Sequence, residues 1–179
     1  MKRELIRITF VGDIMCERPL LKAYFMNKEY DFRPIFEATK KLFNESDFVI
    51  GNLETVFAGK EVGYTNSLYS FNTPDEFLDA LKESGIDLFL TANNHCLDRG
   101  IDGLKRTIHE LDSRNMAHIG TYLNEKEQKK IFVKDIHGIK IAFLNYTYGT
   151  GIKDNHVILE KKRSGLCKST YAAKSRIAN

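Results

Sequence analysis

The amino-acid sequence predicts an α/β domain with mostly parallel strands and an antiparallel hairpin at its end, and three observations carry that reading. Strand-like apolar runs alternate with stretches of helical periodicity, the pattern of βα units. Most runs stop at turn-forming Gly, Asn or Asp residues. The last two runs are joined only by His137-Gly138, a hairpin spacing. At 179 residues, 42% of them hydrophobic, the chain has the length of one ordinary domain and enough apolar side chains for a real core.

The elements follow in order. Ile6, Ile8, Phe10 and Val11 form a buried strand that turns at Gly12-Asp13. A helix spans Arg33–Phe43, where Ile35, Phe36, Thr39, Leu42 and Phe43 share one face at 3.6-residue spacing. Asp47-Phe48-Val49-Ile50 is a second strand, stopping at Gly51-Asn52-Leu53-Glu54. Periodicity is then lost from Thr55 to Asn72. Unpatterned segments of that length are often functional, so this one is expected to be mobile and to lie over the sheet edge. Its Phe57, Tyr64 and Tyr69 would pack onto the domain or meet a substrate.

Thr73-Pro74-Asp75-Glu76 announces a helix, with Thr73 as cap, Pro74 at the first helical position and Glu76 closing a capping box. Phe77, Leu78 and Leu81 make its apolar face and Gly85 ends it. A third strand, Ile86–Leu90, runs into Thr91-Ala92-Asn93-Asn94-His95. A helix over Ile101–Arg114 carries the stripe Ile101, Leu104, Ile108, Leu111, and Ile119-Gly120 marks a short fourth strand. Ile131–Ile136 and Ile139–Asn145 form the hairpin. Past Gly151 the patterning fades, which divides the chain into a domain over 1–150 and a basic tail over 151–179.

Charge and composition exclude several classes. The formal net charge of +3 hides an asymmetry: the tail holds seven basic and two acidic residues, leaving 20 basic and 22 acidic residues in 1–150. A basic nucleic-acid surface would rest on the tail alone, so no nucleic-acid partner is expected. No uncharged apolar run approaches the roughly 18 residues of a membrane span. Glu4 and Arg7 interrupt the place where a signal peptide would need an apolar stretch, so a cytoplasmic location is expected. A peripheral membrane position would come only through a larger complex. Cys16, Cys96 and Cys167 are odd in number and outside C-x-x-C spacing, which suits a reducing compartment.

Gly12-Asp13, Asn52-Leu53-Glu54 and Asn93-Asn94-His95 each stand at the C-terminal end of a predicted strand. In an open parallel sheet those ends line one edge, where α/β proteins place ligands. Carboxylates, amides and imidazole are hard donors that suit Mn, Fe, Zn or Mg, and two such cations can clamp a phosphate ester and activate water. Taken singly, each cluster also reads as ordinary punctuation. Asp13 is a turn or cap residue, Glu54 a solvated loop acid, Asn93-Asn94 a turn, His95 a satisfied structural group and Asp98 a helix cap.

GDIM at 12–15, GNLE at 51–54 and TANNHCLDRG at 91–100, followed by GL at 103–104, resemble the CapA family of capsule-synthesis proteins, within the calcineurin-like metallophosphoesterase superfamily. FNTPDEF at 71–77 and IKIAFLNYTYGT at 139–150 are also similar to that family, so the resemblance covers Ile6 to Thr150. It implies a metallophosphoesterase-like α/β sandwich, a role in capsule or poly-γ-glutamate production beside other synthesis proteins, and divalent Mn, Fe or Zn. By the same resemblance, Asp13 is the first-strand metal ligand, Glu54 the acid bridging two metals, and Asn94 the amide ligand. His95 is the catalytic group that meets substrate and protonates the leaving group. Asp98 orients His95, and Asn52 and Asn93 support the site.

The departures shape further expectations. The superfamily's D-x-H motif is reduced here to Gly12-Asp13. Family members continue into a second half with H-W-G and G-H-x-H motifs, whereas this sequence has no Trp and no histidine after His156. The chain therefore reads as a truncated N-terminal portion, with weakly held or absent metal and an uncovered sheet that invites self-association. The alternatives are a non-catalytic accessory or binding protein of a polymer-synthesis system and an inactive remnant.

Overall fold

Alternation of apolar side chains along short strands decides which layer lies on which side of this molecule. The computed structural model describes residues 5–67 and 70–147. In chain order its elements are β1 (Ile8–Ile14), α1 (Arg18–Ala23), β2 (Phe25–Met26), β3 (Glu29–Tyr30), α2 (Arg33–Phe43), β4 (Phe48–Leu53), α3 (Glu76–Ser84), β5 (Leu88–Leu90), α4 (Gly100–Ser113), β6 (Ala117–Ile119), α5 (Glu125–Gln128), β7 (Phe132–Ile136) and β8 (Ile139–Phe143). Strands β1, β4, β5 and β6 form one parallel sheet in the order β1-β4-β5-β6. The β7–β8 pair is a separate antiparallel hairpin, with His137 and Gly138 both at positive φ in its turn.

The period of two splits the sheet cleanly. Phe48 and Ile50 of β4, Leu88 of β5 and Ile119 of β6 face the hairpin, where they meet Ile136, Phe132, Ile141 and Phe143. Val49, Leu53 and Phe89 point the other way, into a core built from Phe43 of α2, Phe77, Leu78 and Leu81 of α3, and Phe32 and Phe57. Helices, sheet and hairpin thus stack as an α/β sandwich. A smaller cluster lies under α4, where Leu104 and Ile108 pack on Ala92 and Cys96.

Several expectations need correction. Phe10 was read as part of a buried strand but is 65% exposed. It lies on β1, one of the two edge strands of the sheet. Thr73 does not cap α3: its hydroxyl pairs with the Thr55 hydroxyl at 2.7 Å, and the helix begins at Glu76 with no side-chain cap. Tertiary pairing has outbid the local cap. Gly85 does end α3, in the left-handed conformation at φ 96°. The ribbon β2–β3 and the short helices α1 and α5 had no clear periodic signal.

The segment expected to be mobile carries its own skeleton. Asn72 is fully buried; its Oδ1 accepts from Ala58 N–H at 2.8 Å, and its Nδ2 donates to the Gly59 and Gly63 carbonyls at 2.9 and 2.8 Å. Phe57 is buried with its N–H on the Thr107 hydroxyl, and Arg106 reaches the Phe57 carbonyl while pairing with Asp75. Tyr64 packs edge-on against Tyr30. Within the described residues, these partners tie the segment to the domain. Tyr69 and the basic tail 151–179 lie outside the described residues.

Candidate functional site

A bulge sets the first corner of the site. The β1–β4 register runs Val11 opposite Gly51 and then slips, so that Asp13 stands opposite Asn52. Without the slip Gly12 would hold that place, and Asp13 would face the other side of the sheet. Asn52, the penultimate residue of β4, then gathers both acids. Its Nδ2 donates to Asp13 Oδ1 at 2.7 Å and to Glu54 Oε2 at 2.9 Å.

The third strand end joins through amides. Asn93 Nδ2 donates to Asn52 Oδ1 at 3.2 Å and to the Leu53 carbonyl at 2.8 Å, while its Oδ1 accepts the His95 N–H at 3.0 Å. His95 is buried, with Nδ1 2.8 Å from Asp98 Oδ2 and Nε2 3.7 Å from Glu54 Oε1. Asp98 Oδ2 also accepts the Phe71 N–H at 2.6 Å, and the Phe71 ring lies 4.4 Å from the imidazole. One continuous network therefore links Asp13, Asn52, Glu54, Asn93, His95 and Asp98. Asn94 is half-buried and stands outside that network among the described residues. It lines an open depression beside it, together with Asn52, Asn93, Asn145, Tyr146 and Thr147.

The electrostatics follow from two carboxyl groups pressed together. The Asn52 amide, aided by the hydrogen bond with Glu54, holds the Asp13 carboxyl below its ordinary value. Burial, then the hydrogen bond to and charge of Asp13, push Glu54 up to about 7. Burial likewise raises Asp98, against the opposing pull of the Phe71 N–H and His95. The pair is thus poised to hold one proton between two acids at mildly acidic pH.

Whether these residues suit a divalent cation is a matter of donor chemistry. Two carboxylates and neighbouring amide oxygens are acceptable to a hard cation, and neutralising their repulsion would favour one. Against that, no group of three or more His, Cys, Asp or Glu side chains is placed to hold a metal ion among the described residues. The Asn52 amide nitrogen occupies the point where both acids converge. The donor set fits part of a coordination shell and no more.

Sequence reasoning did not place Phe71 or Asn145 in this neighbourhood. Phe71 opens the FNTPDEF stretch, a signal that was present but unspecific. Asn145 sits at the end of an apolar run, where only the fold reveals its contact with Ala92.

Comparison with known proteins agrees with the motifs. The family described as bacterial capsule synthesis protein PGA_cap matches residues 7–177, running past Thr150, where the motif resemblance stops. The chain is 30% identical over 150 residues to the PGA biosynthesis protein CapA of Bacillus subtilis (strain 168), covering 83% of this chain and 39% of that protein. It is 29% identical over 149 residues to the capsule biosynthesis protein CapA of Bacillus anthracis, covering 82% and 36%. The chain therefore spans less than two fifths of the length of either relative. On that match, the chain belongs to the bacterial capsule synthesis protein family PGA_cap.

Proposed function

We propose that this chain serves capsule or poly-γ-glutamate biosynthesis alongside other synthesis proteins, and that its sheet edge is part of a metal-dependent phosphoesterase-type site. The observation that carries the reading is the convergence of Asp13, Glu54 and His95 at one edge through the Asn52–Asn93 relay. Asp13, Glu54 and Asn94 would hold a divalent cation such as Mn, Fe or Zn, which on binding would polarise a phosphate ester and acidify water. The chain's own residues do the rest. Asp98 fixes the His95 ring through Nδ1 and leaves Nε2 toward Glu54, where it can give or take a proton. Phe71 braces the ring from the side.

Titration of the full chain with Mn²⁺ tests this. Weak but saturable binding is expected, since two carboxylates and an amide supply only part of a coordination shell. Asp13→Asn should weaken it at least tenfold. Equal binding by the variant would remove the metal reading.

A second reading is favoured by one observation, the Asn52 amide nitrogen bridging both acids where a cation would sit. On that reading the edge is a binding surface of an accessory protein. Turnover of an aryl phosphodiester with Mn²⁺ that disappears in Asp13→Ala and His95→Ala would decide for catalysis. Absence of both metal binding and turnover would decide for the accessory role.

A further inference from the structure

Ala92, at the root of the loop carrying His95, has both of its backbone groups taken by one side chain. Asn145 Oδ1 accepts the Ala92 N–H at 2.6 Å, and Asn145 Nδ2 donates to the Ala92 carbonyl at 3.2 Å. A single primary amide thus plays the part of a neighbouring strand just where the β5–β6 ladder ends at Leu90 opposite Ile119. Gly120 makes room for it. That residue has φ +115°, and a Cβ there would fall 2.1 Å from Asn145 Oδ1 and 2.5 Å from Ala92 N.

The residues on either side of Ala92 are held just as firmly, each by a different element. Thr91 donates its N–H to the Ile119 carbonyl at 2.9 Å, and its hydroxyl pairs with the Thr121 hydroxyl at 2.7 Å. Asn93 is tied to the Leu53 carbonyl at the end of β4. Removing the middle tie would leave the Ala92 peptide planes, which lead to Asn93 Oδ1 and the His95 N–H, held only from their two neighbours and able to tilt between them.

We infer that Asn145 is a positioning residue: the end of the β7–β8 hairpin sets the height of the Asn93–His95 loop, through Ala92, with Gly120 providing the clearance. The hairpin is thereby a working part of the site as well as a cover for the sheet. This rests on reading Asn93–His95 as part of the site, but its test reads geometry and not metal or turnover.

The experiment is NMR of the full chain with labelled backbone and histidine rings. In the unaltered protein the Ala92 amide should be protected from hydrogen exchange; an unprotected amide overturns the inference without any variant. Asn145→Asp keeps the side-chain volume but loses the donor and sets a carboxylate oxygen against the Ala92 carbonyl. The Ala92 N–H keeps an acceptor, but repulsion at its carbonyl should push the Ala92 peptide away and speed its amide exchange about tenfold. The substitution should also shift the His95 ring resonances, which sense the Phe71 ring.

Phe143→Leu, which loosens hairpin packing elsewhere, should lower Tm and leave the His95 resonances in place. A merely structural Asn145 would behave like Phe143, and unchanged His95 signals in Asn145→Asp would overturn the inference. If that variant fails to fold, Asn145→Gln, which keeps both amide groups but sets them one methylene out of place, must move the same signals. Loss of Mn²⁺ binding in the unaltered chain would defeat the proposed function and leave this coupling standing.

Discussion

The two faces of the central sheet are closed to very different degrees. On the helix side, Val49, Leu53 and Phe89 disappear under Phe77, Leu78 and Leu81, each at most 2% exposed. On the hairpin side the inner residues Ile50 and Leu88 are equally buried, but Phe10 and Ile139 remain at least half exposed. Helices present wide apolar stripes that interdigitate with a sheet, whereas a two-stranded hairpin covers only what lies directly beneath it. The difference teaches that stability is concentrated on one face. The other is partly open, and it is the face whose covering hairpin reaches the site through Asn145.

The sharpest way to break this contrast is to empty the helix side. Phe77→Ala should cost about 3–5 kcal/mol, the range for a fully buried aromatic. The matching truncation on the hairpin side, Phe143→Ala, should cost about 2 kcal/mol because that ring is only partly buried. Urea melts of the two variants check the ordering, and equal losses would mean that the hairpin carries as much of the core as the helices.

A smaller effect belongs to the polar edge where the faces meet. Glu54 has a folded-state value of about 7 against an ordinary 4.5. Its raised value means that the stabilisation is fully present below pH 4.5 and is lost as pH rises through about 7. Asp13, held low, acts with the opposite sign in a separate window: its contribution is present above its ordinary value and lost as pH falls. Glu54→Gln should therefore flatten the fall in stability between pH 5 and 8, by on the order of 1–2 kcal/mol after solvent screening. Thermal melts across that range give the answer; a variant with the parent's slope would show that Glu54 does not titrate at the raised value.

The smallest thermodynamic effect is expected at the open face itself. Phe10→Ser should change folding stability by no more than about 0.5 kcal/mol, as an exposed substitution does. If the chain self-associates through its open face, Phe10→Ser should also reduce that association in sedimentation, since an apolar side chain on an edge strand is a ready contact. Unchanged association would place the sticky surface elsewhere, and a large loss of stability would show Phe10 to be part of the core.

Periodicity and punctuation alone were enough for the alternating architecture. The α2 helix runs over Arg33–Phe43 as its spacing dictates, the hairpin turns at His137-Gly138, and the acidic, amide and histidine clusters stand at the ends of β1, β4 and β5. These features are local. A run of apolar side chains at period 2 or 3.6 specifies both the backbone form and the face that seeks the core, and parallel strands carry their C-terminal ends to a common edge. The three motif clusters, set side by side there, were therefore legible before any coordinate.

What only the tertiary structure decided lies in register and in long-range pairing. Nothing local says that the β1–β4 ladder slips at Gly12, yet that slip is what sets Asp13 opposite Asn52. Thr73 has the chemistry of a cap, but the Thr55 hydroxyl comes close enough to claim it. Phe10 is as apolar as Ile50, and only its place on an uncovered edge strand leaves it exposed. Phe71 and Asn145 reach the site across 27 and 53 positions of sequence, by hydrogen bonds whose geometry depends on how whole layers stack. Residue type and spacing determine which groups are available to one edge; which of them touch is settled by packing, because a shift of one register position or a single exposed strand redirects every partner at once.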